Sequence, residues 1–177
     1  MNHFIQFESK ALGQELLELA ALYKANPTLH SSKGKGKRIG CIFLNPSLRT
    51  RVSTQIAAQQ LGMEAIVLNM DKEGWALEMQ EGAVMNKGTV EHIKDAAGVL
   101  GSYFDILALR AFPSLTHKEE DVTDFVLHQF IKYSGIPVVS LESAIRHPLQ
   151  SLADQLTIQE LTKDKKRPKV VLTWAPH

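Results

Sequence analysis

The chain has 177 residues, enough for one domain or for one domain and the beginning of another. Its formal net charge of +1 argues against a dedicated nucleic-acid-binding protein, which usually carries a large basic excess. No apolar run reaches transmembrane length, and the N-terminus lacks a basic region followed by an apolar segment. The single cysteine, Cys41, excludes an internal disulfide and is expected to be a buried, inert thiol. Together these features predict a cytoplasmic protein without membrane contact.

The hydrophobic pattern predicts helices and strands that alternate along the chain. The predicted helices are 9–24, 50–61, 90–100, 123–134 and 148–161, and the predicted strands are 38–45, 64–70, 105–110, 136–141 and 169–174. The basic, glycine-rich segment 30–38 could contact nucleic acid or a membrane surface. A solvated loop is the interpretation we favour, because the segment lacks aromatic residues for base stacking.

Strands that alternate with helices predict β-α-β units, and hence an α/β fold with a four-stranded parallel sheet flanked by helices. Glycines interrupt the segment 71–88, which we interpret as a long loop with a short helix over 77–84. In that segment Trp75 is either a core residue or an exposed ligand contact.

The strand pattern at the end of the chain suggests the first strand of a second α/β domain. We therefore divide the sequence into a ligand-binding domain, a connecting helix with its linker, and the start of that second domain. The three parts are 1–148, 149–168 and 169–177.

Two hydroxyls and two arginines lie within Ser47–Arg51, between the first predicted strand and its helix. Ser47 is a plausible N-cap. Free backbone N–H groups and the positive end of a helix favour an anion at such a turn, and arginine binds phosphate through two parallel hydrogen bonds. This pattern indicates a phosphate or carboxylate site. The alternative is a capped helix whose surface arginines form local ion pairs.

Further polar side chains follow the third and fourth predicted strands. Arg110 ends one strand, and Glu142, Arg146, His147 and Gln150 follow the other. Ligands bind at the carboxyl ends of parallel strands, so these side chains are expected to converge with the Ser47–Arg51 turn. Helical geometry turns Arg51 about 200° from Arg49. A structural ion pair rather than a ligand contact is therefore expected for Arg51, and Arg146 is not assigned as a ligand contact either.

These residues carry a family resemblance. The segment Ser47-Leu48-Arg49-Thr50-Arg51 resembles the Ser-x-Arg-Thr-Arg motif of the aspartate and ornithine carbamoyltransferases. His147-Pro148-Leu149-Gln150 resembles their His-Pro-x-Gln motif, and Arg110 matches the arginine between the two. The resemblance covers nearly the whole chain as the N-terminal, carbamoyl-phosphate-binding domain. It is closest to the branch that acts on N-acetylornithine or N-succinylornithine.

The resemblance implies carbamoyl transfer from carbamoyl phosphate to the δ-amino group of an N-acylated ornithine, in arginine biosynthesis. It implies no metal, no cofactor and no covalent enzyme intermediate. It also implies a homotrimer with shared active sites, in which Trp75 is contributed to a neighbouring subunit. The residues implied for carbamoyl phosphate are Ser47, Leu48, Arg49, Thr50, Trp75, Arg110, His147 and Gln150, with Arg110, His147 and Thr50 as the catalytic groups.

The residues implied for the acylated ornithine are Glu142, Val90 and His177. The acetyl-specific relatives resemble one another in having glutamate at the position of Val90, and the succinyl-specific ones have a small apolar residue there. A glutamate would repel the additional carboxylate of a succinyl group, so Val90 favours N-succinylornithine. The alternative is that Val90 only begins a helix.

Other functions stay open. N-acetylornithine or ornithine could be the substrate instead. If the natural protein ended at His177, it would be a carbamoyl-phosphate- or anion-binding domain without catalysis, because the family's second domain carries the remaining substrate-binding residues.

Overall fold

The computed structural model describes residues 3–70, 74, 76–85, 88–163 and 167–173. Its helices are α1 (Lys10–Ala25), α2 (Arg49–Gln60), α3 (Ile93–Tyr103), α4 (Lys118–Val122), α5 (Phe125–Ser134) and α6 (Pro148–Leu161). Its strands are β1 (Arg38–Phe43), β2 (Glu64–Asn69), β3 (Leu77–Glu78), β4 (Glu91–His92), β5 (Ile106–Arg110) and β6 (Val138–Glu142). In these residues no helix is long and apolar enough to cross a membrane.

Four strands form a parallel sheet in the order β2-β1-β5-β6, which confirms the predicted α/β fold. The register between β5 and β6 shifts after Leu109, so that Arg110 pairs with Glu142. Phe4 forms a parallel bridge with Val139 at the edge of the sheet. Because the strands are parallel, their carboxyl ends share one edge, and the connections that follow β1, β5 and β6 meet there.

Apolar side chains are buried on both faces of the sheet. On one face Phe130 and Ile93 pack with Leu107, and Gly101 allows close approach of α3 to α5, because a Cβ atom there would lie 1.8 Å from the Ser134 oxygen. On the other face lies Cys41, which is fully buried as predicted. Burial raises the pKa of its thiol to about 11, because the thiolate would lose its hydration.

The segment after β2 differs from its prediction. No helix forms over 77–84; instead β3 pairs with β4 in a two-stranded parallel sheet. Leu77 and Met79 alternate toward the core, which is the spacing of a strand. The next helix begins at Ile93 and not at residue 90, because the His92 ring caps it by accepting a hydrogen bond from the Lys94 N–H at 3.0 Å.

The strand predicted over 169–174 is wrong across residues 169–173, which form no strand. Val171 and Leu172 are 73% and 97% exposed there. An apolar sequence forms a strand only with a neighbouring strand to accept and donate its backbone hydrogen bonds, and no described strand lies beside this one. The division of the chain at residues 148 and 168 stays a prediction.

Candidate active site

A cleft of about 800 Å³ opens at the carboxyl edge of the sheet. The start of α2, the ends of β5 and β6 and the start of α6 surround it. The predicted residues that line it are Ser47, Leu48, Arg49, Thr50, Arg110, Glu142, His147 and Gln150. The structure therefore brings together segments that are about a hundred residues apart in sequence, as expected from the parallel topology.

The start of α2 is uncapped by any side chain. Leu48 is the N-cap residue, with φ −94° and ψ −60°, and no side chain accepts a hydrogen bond from the first turn. The prediction of Ser47 as N-cap is therefore wrong, because Leu48 holds that position and the Ser47 hydroxyl accepts no hydrogen bond from the first turn. The first N–H groups of α2 consequently lack a protein side-chain acceptor, which favours an anion at this end of the helix.

Arg110 is buried and joins three segments. Its Nε donates to Glu142 Oε2 at 3.1 Å, and its Nη1 donates to the carbonyl oxygens of Asn45, at 3.3 Å, and Pro46. The guanidinium carbon lies 4.0 Å from the ring centre of Phe112. Nη2 has no partner among the described residues, so its two N–H groups are available to a ligand.

His147 lies at the N-terminus of α6, where Nδ1 accepts a hydrogen bond from the Gln150 N–H at 3.3 Å. The neutral ring therefore carries its hydrogen at Nε2. That atom is 3.8 Å from Glu142 Oε2, the same oxygen that accepts from Arg110. The Gln150 side chain donates from Nε2 to Asp154 Oδ1 at 2.8 Å, which leaves its amide oxygen as an acceptor.

The charges around the cleft favour an anionic ligand. Arg49 is exposed, and no acidic residue lies in the first turn of α2. Glu142 is the one carboxylate among the lining residues, and it is already paired with Arg110. Among the described residues no group of three or more His, Cys, Asp or Glu side chains is arranged to hold a metal ion.

Some predicted residues lie elsewhere. Val90 is 67% exposed and does not line the cleft, whereas Trp75 and His177 fall outside the described residues. Arg146 donates to Asp124 at 3.0 Å and does not line the cleft, although it follows β6 as closely as His147 does. In the described part of the chain Arg51 has no ion pair.

Three residues of this region were not predicted from the sequence: two hydroxyl side chains that line the cleft, and one asparagine that holds the loop before α2. Ser53 and Thr54 line the cleft one turn after Thr50, and the spacing of three and four residues in a helix is a signal that could have found them. Asn45 accepts a hydrogen bond from the Phe112 N–H at 2.7 Å and so fixes the loop before α2. No local pattern indicates that contact.

The cleft combines an uncapped helix start, a buried arginine and a histidine on a parallel α/β domain, features that favour an anionic ligand. Residues 2–160 match the family described as "Aspartate/ornithine carbamoyltransferase, carbamoyl-P binding domain". The chain belongs to this family.

The N-succinylornithine carbamoyltransferase of Bacteroides fragilis (strain 638R) is 49% identical over 144 residues, which are 81% of this chain and 45% of that protein. The N-acetylornithine carbamoyltransferase of Xanthomonas axonopodis pv. citri (strain 306) is 44% identical and covers 100% of this chain, which matches 52% of its length. The chain thus spans about half the length of these relatives.

Among solved structures, an acetylornithine transcarbamylase in complex with acetylcitrulline is similar, with a TM-score of 0.85 and 43% identity. The match covers 91% of this chain and 48% of that one. An N-acetyl-L-ornithine transcarbamylase with one glutamate replaced by valine, in complex with carbamyl phosphate and N-succinyl-L-norvaline, has the same TM-score and 44% identity. That match also covers 91% of this chain and 48% of that one.

We expect Ser47→Ala to change the free energy of unfolding by less than about 0.5 kcal/mol, because Ser47 does not cap α2. Ser9→Ala is the matched control. The Ser9 hydroxyl accepts from the Leu12 N–H at 3.1 Å, so its loss should lower the free energy of unfolding by about 1 kcal/mol. Urea titration followed by circular dichroism measures both values. Equal losses would mean that Ser47 caps α2 in solution.

Proposed function

We propose that the complete protein transfers the carbamoyl group of carbamoyl phosphate to the δ-amino group of an N-acylated ornithine, with N-succinylornithine preferred. The observation that carries this proposal is the meeting of Ser47, Arg49 and Thr50 with Arg110 and His147 in one cleft. Membership of the carbamoyltransferase family supports it. The place of the reaction in arginine biosynthesis and the cytoplasmic location are parts of the same proposal.

The start of α2 would hold the phosphate. Its uncapped N–H groups donate to phosphate oxygens, the hydroxyls of Ser47 and Thr50 add two more donors, and the exposed Arg49 closes over the anion. Ser53 and Thr54 line the same wall. These groups neutralise the phosphate and favour its departure from the carbamoyl carbon.

Arg110 and His147 would stabilise the reacting carbonyl group. When the amine attacks the carbamoyl carbon, its oxygen gathers negative charge, which the free Nη2 hydrogens of Arg110, the Nε2 hydrogen of His147 and the Thr50 hydroxyl can receive. The bond from carbon to the phosphate oxygen then breaks, and phosphate accepts the proton lost by the amine. The Gln150 amide oxygen accepts from the carbamoyl amino group, which sets its orientation.

Glu142 and Val90 would select the second substrate. Solved variants of N-acetyl-L-ornithine transcarbamylase in which one glutamate is replaced by alanine, valine, proline or serine are complexes with carbamyl phosphate and N-succinyl-L-norvaline. By the resemblance, Val90 corresponds to the glutamate of the acetyl-specific relatives. Valine at this position removes a charge that would repel a succinyl carboxylate, which supports the preference for N-succinylornithine.

A homotrimer with shared sites is also proposed. Leu48, Val52 and Ile56 form an apolar stripe along α2 and are 80%, 48% and 46% exposed. This stripe begins at the cleft, so a second copy could pack beside the site, and by the resemblance it would contribute its Trp75. Light scattering of the complete protein measures its molar mass, and a monomeric mass would contradict this proposal.

A domain that binds carbamoyl phosphate without catalysis is the second candidate. The cleft supports binding by itself, because it holds most of the residues implied for carbamoyl phosphate. Carbamoyl-phosphate binding without turnover by the complete protein would favour this function.

We expect Arg49→Ala to weaken carbamoyl-phosphate binding about a hundredfold, because the substitution removes charge-assisted hydrogen bonds to the phosphate. Isothermal titration calorimetry of the 177-residue chain measures the Kd. Arg51→Ala is the matched control and should bind like the parent, because Arg51 does not line the cleft. Equal affinity of the parent and Arg49→Ala would contradict the site. If the folded parent does not bind, the titration is repeated on the complete protein, where absence of binding refutes the proposed function.

We expect Val90→Glu, in the complete protein, to shift the preference from N-succinylornithine toward N-acetylornithine by about tenfold or more, because the new carboxylate repels the succinyl carboxylate. The ratio of kcat/KM values for the two substrates measures the shift. Val90→Ala is the control, since it changes size without adding charge, and should keep the preference for the succinyl substrate. An unchanged ratio in Val90→Glu would refute the role of this position.

A further inference from the structure

We propose that Asp124 is a positioning residue that holds His147 in place through the turn at 143–146. The proposal concerns the same cleft and rests on the proposed function for its ligand. Asp124 does not line that cleft. It acts through the connection between β6 and α6.

The Asp124 carboxylate turns away from its own helix. Asp124 is the N-cap residue of α5, with φ 50° and ψ 40°, and its side chain caps none of the N–H groups of that helix. The side chain is 1% exposed. A buried carboxylate and a left-handed backbone both cost free energy, so the structure retains them only where other contacts compensate.

Those contacts all reach the turn before α6. Oδ1 accepts from the Ile145 N–H at 3.3 Å, and Oδ2 accepts from Arg146 Nη1 at 3.0 Å. The turn is also closed on itself, because the Ser143 N–H donates to the Arg146 carbonyl oxygen at 2.8 Å. Asp124 thus attaches a closed turn to the start of α5.

His147 follows this turn directly, and its ring is held from the other side by the Gln150 N–H. A shift of the turn would move the His147 backbone and change the distance of its Nε2 from Glu142, now 3.8 Å. Small displacements of a group that stabilises developing charge have large effects on a site of this kind. The pair of Asp124 and Arg146 is therefore expected to act on the ligand through His147 and Gln150.

The test uses Asp124→Asn in the 177-residue chain. Asparagine tolerates the left-handed backbone and still accepts from the Ile145 N–H, so the substitution removes chiefly the charge that holds Arg146. Asp121→Asn is the matched control. Asp121 accepts from the Ser114 and Leu115 N–H groups, at 2.7 and 2.9 Å, and does not contact the turn.

Long-range ¹H–¹⁵N spectra of the histidine rings supply a measurement that needs no ligand. The parent and Asp121→Asn should each show His147 with its hydrogen at Nε2, whereas Asp124→Asn should show a shifted or averaged signal. An unchanged His147 signal in folded Asp124→Asn would overturn the proposal. Should that variant not fold, Arg146→Met removes the same ion pair and is judged by the same signal.

Calorimetry with carbamoyl phosphate gives the second measurement. Asp124→Asn and Arg146→Met should each weaken binding about tenfold, and the double variant should bind no worse than either, because the two residues act as one unit. Additive losses would mean that Arg146 contacts the ligand directly and would overturn the proposal. If neither the parent nor the complete protein binds carbamoyl phosphate, the proposed function fails, and the His147 spectra still decide the role of Asp124.

Discussion

The buried guanidinium of Arg110 is the interaction on which the cleft depends. It ends β5, pairs with Glu142 at the end of β6 and donates to the carbonyl oxygens of Asn45 and Pro46 in the loop before α2. A buried charge is tolerated only when its hydrogen bonds are satisfied, so these three segments must stay together for Arg110 to stay buried. The guanidinium that holds these three segments together also keeps N–H groups at Nη2 that are free within the described part of the chain. The same residue therefore serves both the stability of this edge of the sheet and the proposed binding of a ligand.

The predicted parts that agree with the structure are those set by local patterns. The helix predicted over 148–161 has these bounds, because Pro148 fits the first helical position and His147 caps it. The Ser47 cap was predicted by an equally local pattern and is wrong, because Leu48 is the N-cap residue and no side chain accepts from the first turn of α2. Sequence alone identifies a serine that can cap a helix, but whether its hydroxyl reaches an N–H group of the first turn depends on the path of the loop, whose Asn45 and Pro46 carbonyl oxygens accept from Arg110.

The contacts that the sequence could not predict join residues far apart in the chain. Arg110 and Glu142 are 32 residues apart, and Asp124 and Arg146 are 22 apart. Neither pair shows a periodic or motif signal. The first depends on the register shift after Leu109, and the second depends on the left-handed backbone at Asp124. Charge alone could not have paired these residues, because each sequence segment contains other arginines or carboxylates.

The two walls of the cleft differ in how firmly the protein holds them. Arg110, Glu142 and His147 are held by contacts with one another and with the backbone, so in the proposed reaction they would need little rearrangement when charge develops on the carbonyl group. Arg49 and Leu48 are exposed at the start of α2. In the proposed function, Arg49 would therefore lose side-chain freedom only when the phosphate binds. In the proposed function, binding of the phosphate would order the outer wall, while Arg110 and His147 are already held in place before the ligand enters.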